Sequence, residues 1–336
     1  MKKITLIFSI IIFIGACKKD KSQDFYDIYI AGYTWLPDTI INGIAISSTD
    51  VATVWKNDSI MLLSDTSSYA NAIFLKDDNV YVAGSIFPDG ATYWINGIRH
   101  RLPSYRLPRT ANDITAFSNN VYVCGYVGHY SDSSFVAKLW RNGIDETLAN
   151  SADAISNAVA VASNGDVYVV GWKKIGNIIN AVYWKNGQQF ILGTGVANDI
   201  FIDESTIYIG GHIYNNIGVP RAAYWKNNLV TILDNDNNSD IVAISVTDNA
   251  VFAAGRTNSD ACYWRNGVEF QVQTNGNDNN YINDMATHGN TAYSVGSILT
   301  TANQKAYYWN NRSKIRLPYG SYDNWSEANA IAIKEK

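Results

Sequence analysis

"VYVVGWKKIGNIINAVYWKNGQQFIL", running from Val167 to Leu192, decides the fold. Both halves alternate β-branched or aromatic residues at period two, which suits half-buried antiparallel strands. Gly171 closes the first half, Trp184 closes the second, and Asn186-Gly187 follows at once. Asn-Gly is the strongest short signal for a two-residue hairpin, because both central residues take positive φ. The phrase recurs seven times. Its glycines are Gly32, Gly84, Gly125, Gly171, Gly211, Gly255 and Gly296, and its tryptophans are Trp55, Trp94, Trp140, Trp184, Trp225, Trp264 and Trp309.

Successive tryptophans stand 39, 46, 44, 41, 39 and 45 residues apart, the period of a four-stranded propeller blade and too long for a leucine-rich coil. Each unit divides into segment A ("NAIFL", "NDITAF"), segment B ("VYVAG"), segment C ending in Trp, and a short apolar segment D ("FIL", "TIL"). The C to D turn reads Asn96-Gly97, Asn142-Gly143, Asn186-Gly187 and Asn266-Gly267, with Asn57-Asp58, Asn227-Asn228 and Asn310-Asn311 in the other units. No stretch sustains helical periodicity. The first unit opens on "DIYIAG" with no A segment, whereas the closing "EANAIAIKEK" is an A segment with nothing after it. The C-terminal strand is therefore expected to join the first blade, hiding two open sheet edges. The expected fold is all-β: a seven-bladed β-propeller of four-stranded antiparallel blades over residues 26–336.

A chain that is 47% hydrophobic and 17% charged can bury a large core and is neither disordered nor collagen-like. Its 26 Lys and Arg against 30 Asp and Glu, with no basic block beyond the N-terminus, argue against a nucleic-acid partner. The N-terminus carries an address. Lys2 and Lys3 precede the apolar run Ile4 to Phe13, too short for a span that needs about 20 apolar residues, so residues 1–16 read as an export signal. Ile14-Gly15-Ala16-Cys17 resembles the bacterial lipobox, in which Cys17 becomes the acylated first residue. Residues 17–25 then form a lipidated, polar tether, whose charged start resembles the surface-export signals of some Gram-negative lipoproteins. The expected location is the cell envelope, anchored to the outer membrane and facing the periplasm or the outside. Cys124 and Cys262 lie three repeats apart inside strand-like phrases and read as small buried hydrophobes.

Over residues 28 to 333 the repeat resembles seven-bladed β-propellers, and in particular the extracellular HAF-type repeat proteins, whose units run A-x-x-W-x-N-G-x-x-x-x-L and then A-x-A-I-N-x-x-G-x-V-x-G. Here Tyr-Trp stands where that family more often has Phe-x-Trp. The resemblance implies an exported propeller and carries no catalytic motif.

Residues that recur in every unit read as packing devices, since seven equal positions do one mechanical job. Tryptophan fills the wedge between twisted sheets, and glycine permits close backbone approach. Segment A opens with Asn71, Asn112, Asn157, Asn198, Asn283 and Asn329, with Val242 in the remaining unit, a ring of amides suited to satisfying backbone groups or water. The next position alternates Ala72, Asp113, Ala158, Asp199, Ala243, Asp284 and Ala330. Asp113, Asp199 and Asp284 either hold a hard cation on the axis or cap neighbouring backbone N–H groups, and capping is the favoured reading. Asp234 to Asp240 alternates oxygen-bearing side chains like a calcium loop but lacks its central Gly and closing Glu, so a solvated turn is favoured. No cofactor is expected, with calcium the alternative.

Antiparallel order puts the short A to B and C to D turns on one face and the longer B to C and D to A connections on the other. Variation collects on the second. The residues after the repeated glycines are Tyr33, Ser85, Tyr126, Trp172, His212, Arg256 and Ser297. Trp35, His129, Tyr130, Lys173, Tyr214, Arg221 and a basic run of Arg99, His100, Arg101, Arg106 and Arg109 are expected around them. Tyr33, Trp35, Tyr126, His129, Trp172, His212, Tyr214 and Arg256 form the candidate ligand-binding set, rich in the residue types that dominate hot spots. The four histidines share no metal-ligand spacing and no G-x-S-x-G elbow occurs. The expected function is a monomeric, non-catalytic binding or scaffold module for a protein or glycan partner. The alternative is a carbohydrate-active hydrolase or lyase using Asp113, Asp199 and Asp284.

Overall fold

The computed structural model describes residues 25–37, 39–41, 44–46, 48–103, 109–128, 135–234, 238–258, 260–274, 279–318 and 325–336. The signal, Cys17 and its tether, His129, Tyr130 and Arg106 lie outside these. Every regular element among the described residues is a strand, and the strands make seven antiparallel blades.

Blade 1 takes strand A (Ser326–Glu335) from the C-terminus and strand B (Tyr26–Leu36), C (Thr49–Lys56) and D (Ser59–Leu62) from the start of the chain. Tyr26 pairs with Glu335 and Thr34 with Ser326, so the ring closes as its sequence requires. Between its strands B and C, Thr39–Ile41 and Ile44–Ile46 form a separate small hairpin. Blade 2 is Ser68–Lys76, Asn79–Ile86, Gly90–Ile95 and Ile98–Arg101; blade 3 is Arg109–Phe117, Asn120–Gly128, Phe135–Arg141 and Ile144–Glu146. Blades 4 and 5 share one 16-residue strand, Gln188–Asp203. Its first part pairs with strand C of blade 4 (Ile178–Lys185), beside Ala154–Val161 and Val167–Ile175, and from Gly195 onward it is strand A of blade 5. Gly193 and Gly195, at φ 129° and 149°, make that passage without a loop. Blade 5 continues with Thr206–Tyr214, Pro220–Lys226 and Leu229–Ile232. Blade 6 is Ser239–Thr247, Ala250–Thr257, Asp260–Arg265 and Val268–Gln271; blade 7 is Asn279–His288, Thr291–Leu299, Gln304–Asn310 and Ser313–Arg316.

The repeated residues form one device. Strand A of every blade bulges at a single residue: Asn329, Asn71, Asn112, Asn157, Asn198, Val242 and Asn283 are skipped by the pairing with strand B. The bulge pushes the carbonyl two residues upstream against strand B. A Cβ on the facing glycine would lie 1.8 to 2.0 Å from that oxygen in all seven blades, so no other residue fits there. Each bulge asparagine then reaches sideways. Its Nδ2 donates to the backbone carbonyl just before the next blade's bulge: Asn71 to Ala111, Asn112 to Ser156, Asn157 to Ala197, Asn198 to Ile241, Asn283 to Ala328 and Asn329 to Ala70, at 2.7 to 3.0 Å. Val242 leaves the link from blade 6 to blade 7 unmade.

The tryptophans close the outer wedges. All seven are at most 2% exposed, and burying so large a ring contributes on the order of 3 kcal/mol each. Four also donate Nε1–H to the preceding blade's D to A connection, at Pro318, Leu63, Ala149 and Gln273. The turn asparagines Asn57, Asn96, Asn142, Asn186, Asn227, Asn266 and Asn311 sit at φ 47° to 52°. Each also accepts the N–H of a residue near the start of strand B, such as Ile28, Val80 or Val121. Asparagine alone among good turn formers supplies positive φ and that amide oxygen together. In blade 7 the turn is Asn311-Arg312 and not Asn310-Asn311, because Asn310 already pairs with Ser313. Cys124 and Cys262 are buried and unpaired, as their apolar contexts require.

Candidate functional site

Strand A lines the channel, and the bulge fixes which of its residues meet at the mouth. Two positions before each bulge stand Glu327, Tyr69, Thr110, Ile155, Val196, Asp240 and Tyr281, paired in register with Tyr33, Ser85, Tyr126, Trp172, His212, Arg256 and Ser297 of strand B. These fourteen positions make a double ring on the face of the long connections. The bulge glycine relation holds in every blade, yet the side chains beside it differ from blade to blade.

Two seams carry polar clusters. At the junction of blades 7, 1 and 2, Glu327 accepts a hydrogen bond from the Tyr33 hydroxyl (2.9 Å) and another from the Asn283 amide (2.8 Å). The Tyr33 ring meets Tyr69 edge to face at 5.0 Å, and the Tyr69 hydroxyl donates to Asp50 at 3.0 Å. Burial, then the Glu327 charge, pushes the Tyr33 phenol far above its usual range. Burial and Asp50 raise Tyr69 in the same sense.

Between blades 5 and 6, His212 Nδ1 lies 2.9 Å from Asp240 Oδ1, which also accepts from the Asn198 amide at 3.0 Å. A carboxylate can only accept, so Nδ1 carries the hydrogen. His212 is 8% exposed and its Nε2 has no hydrogen-bond partner among the described residues. Tyr214 stands over the imidazole edge to face at 4.9 Å, its phenol raised by burial and then by Asp240.

Elsewhere on the ring, Tyr126 packs edge to face on Phe135 at 5.3 Å, Trp172 is half-buried opposite Ile155, and Arg256 is exposed opposite Asp240. Trp35 is half-buried at the end of strand B, its N–H bonded to the Trp325 carbonyl. Lys173 is tied to the carbonyls of Asn150 and Ala152. Arg99 and Arg101 belong to the outermost strand of blade 2, where both pair with Asp89 (2.6 and 3.1 Å), away from the mouth at which the sequence had grouped them. Alternation along an edge strand, invisible without the register, sends them outward.

Below the mouth, Asp113, Asp199 and Asp284 make blade joints. Oδ1 of each accepts the N–H of its own following residue, and Oδ2 accepts an N–H from the next blade: Val159, Ile244 and Ile331 respectively, at 2.7 to 2.8 Å. Each carboxyl is held by backbone N–H groups on both oxygens. Burial pushes Asp113 up to about 6 and Asp284 up to about 7, outweighing the two N–H bonds that favour the charged form. Asp199 is raised well above the carboxylate range by burial and then by the charge of Asp284, so the three sense one another. Among the described residues no group of three His, Cys, Asp or Glu is placed to hold a metal ion. Asp240, counted with a calcium-like loop in the sequence, is a strand residue spoken for by His212 and Asn198, and positions 235–237 of that loop lie outside the described residues.

Sequence reading missed Glu327, Tyr69, Tyr281 and the partnership of Asp240 with His212. For the residues the signal was present: aligning segments A on the bulge position and reading two residues upstream finds Glu327, Tyr69, Tyr281 and Asp240, though not that Asp240 meets His212.

No protein-family model and no curated protein matches the sequence. Solved structures match in shape. A Mycobacterium tuberculosis puromycin-hydrolyzing peptidase superposes with TM-score 0.53 at 7% identity, over 89% of this chain and 54% of that one. A Pyrococcus horikoshii acylaminoacyl peptidase gives 0.49 at 10%, over 87% and 52%, and the polysaccharide lyase Uly1 gives 0.44 at 12%, over 88% and 91%. The chain spans about half the length of the two peptidases. At such identities the likeness is one of fold, an all-β propeller built of repeats.

Proposed function

We propose that this chain is an exported, HAF-like propeller, lipid-anchored at Cys17 in the bacterial envelope, that acts as a non-catalytic binding module and holds a glycan or protein partner at the channel mouth. One observation carries the reading. Seven equivalent seams at the mouth hold different side chains, aromatic rings beside carboxylates among them, and at one of them Asp240 fixes the His212 imidazole beneath the Tyr214 ring. Aromatic faces at Tyr33, Tyr69, Tyr126, Trp172 and Tyr214 beside the acceptors Glu327 and Asp240 suit a hydroxyl-rich ligand, which stacks its apolar faces and donates from its edges. A glycan is therefore the better fit of the two. Glycan-array capture by the full chain, lost in a Tyr126→Ala/Trp172→Ala/His212→Ala variant of unchanged melting temperature, is the expected result. Capture that survives the triple substitution removes this face from the reading.

A second reading, a carbohydrate-active hydrolase or lyase, is favoured by the raised carboxyls of Asp113 and Asp284, which titrate where general acids work. Turnover on a polysaccharide panel, abolished by Asp284→Asn in a variant that still folds, would transfer the function to the channel.

A further inference from the structure

The two faces of the ring differ in what they expose. On the short-turn face, the first residue of strand D, just past the hairpin, is an exposed aliphatic in four blades: Ile98 (56%), Ile144 (71%), Leu229 (76%) and Val268 (59%). Single exposed aliphatics are ordinary on soluble proteins. These four occupy one register position in blades related by rotation about the channel, so they stand at the same height and radius on a common rim. Phe25, 76% exposed, joins them at the start of strand B, which runs from the short-turn face toward the mouth. The opposite face also exposes aliphatics, Ile175, Ile178 and Ile217, but these belong to two neighbouring blades and repeat at no common register position.

Chain length adds a second, independent constraint. Cys17 stands eight residues before Phe25, a reach of at most about 29 Å when fully extended. The mouth residue of blade 1, Tyr33, stands eight residues beyond Phe25 on strand B, about 27 Å up the blade. A lipid on Cys17 reaches the level of the mouth only with its tether drawn straight along the blade, whereas the short-turn face, from which the tether leaves, meets the membrane with the tether slack. Charges on the short-turn face are partly neutralised in place: Lys56 pairs with Asp27 at 3.0 Å, Lys185 with Asp166 at 2.8 Å and Lys334 with Asp78 at 2.8 Å, while Lys226 and Arg265 lie over the Tyr208 and Phe252 rings. These cations are spread over separate blades, so apolar tips, and no single basic patch among the described residues, meet the surface.

We propose that the short-turn rim of Ile98, Ile144, Leu229, Val268 and Phe25 rests in the headgroup boundary of the bilayer that holds the anchor, and that the channel mouth points away from it. The proposal rests on acylation of Cys17. Contact is apolar and shallow, of the kind that strengthens anchoring by a single lipidated residue.

The test uses the full lipidated chain in phosphatidylcholine vesicles carrying spin-labelled lipid. A fluorophore is placed on a cysteine introduced at residue 268 or at residue 217; the native Cys124 and Cys262 are buried and do not compete for label. Several-fold stronger lipid quenching in the Val268→Cys protein than in the Ile217→Cys protein is expected, unchanged when phosphatidylglycerol or salt is added. Combined Ile144→Ser and Leu229→Ser substitutions are expected to weaken that quenching. Equal quenching at the two sites, or stronger quenching at 217, overturns the orientation. Mass spectrometry of the N-terminal peptide reads acylation separately: an unacylated Cys17 overturns the anchor itself, whatever the labels report.

Discussion

The channel wall and the channel mouth are two residues apart on the same strands, and they obey opposite rules. At the wall, the bulge, its amide and the facing glycine repeat almost without change, because a carbonyl pressed to within 2 Å of a Cβ position tolerates nothing but hydrogen. At the mouth the backbone is equally regular, yet the side chains run from Glu327 and Tyr69 to Ile155 and Asp240. Uniformity marks what every blade must do to stack. Divergence on a fixed frame marks where the ring has been free to become particular, which is why recognition is sought there.

The largest expected effect tests the uniform part. Trp94→Ala removes a ring with no exposed surface and its bond to the Leu63 carbonyl, so denaturant unfolding should show a loss of about 3–5 kcal/mol. Trp172→Ala, on the divergent ring, should cost far less stability while abolishing capture. A comparable loss at both positions would erase the distinction.

Next in size is the pH response of the channel carboxyls. Asp113 and Asp284 titrate near 6 and near 7 in the folded chain, against a usual value of 3.8, and Asp199 is raised as well. The folded state thus binds more protons than the unfolded one between about pH 4 and pH 7, and stability falls as pH rises through that window. Melting temperature should climb on acidification from pH 8 to pH 5. Asp284→Asn should flatten the climb, and a melting temperature that drops steadily on acidification would contradict the buried placement.

The smallest effect comes from the one irregular bulge. Val242→Asn should supply the missing amide link to the Ile282 carbonyl and raise stability by about 1 kcal/mol, read from a denaturant midpoint. Asn157→Ala, which removes an existing link, should lower it by a similar amount.

Much of the wall was legible in the sequence, and little of the mouth. Glycine, tryptophan and Asn-Gly recur because local geometry demands them, so counting residues was enough to give seven blades and the C-terminal closure. The partnership of His212 with Asp240 depends on two strands from different blades and on a one-residue bulge that shifts register. No spacing rule within a repeat contains it. The three aspartates were seen as an alternating series, but whether they faced a cation or the neighbouring backbone hinged on side-chain direction, which the bulge sets.

The amides at the bulges all point the same way round, so the inner belt is a circuit with one open switch at Val242. The carboxyl joints span blades 3 to 4, 5 to 6 and 7 to 1 and also skip that gap, where the Ser245 and Thr287 hydroxyls meet at 2.8 Å instead. A propeller forced to part would therefore unzip its inner wall between blades 6 and 7, one blade removed from the spliced termini in blade 1. A circular permutant cut between those two blades would sever no amide or carboxyl joint at all.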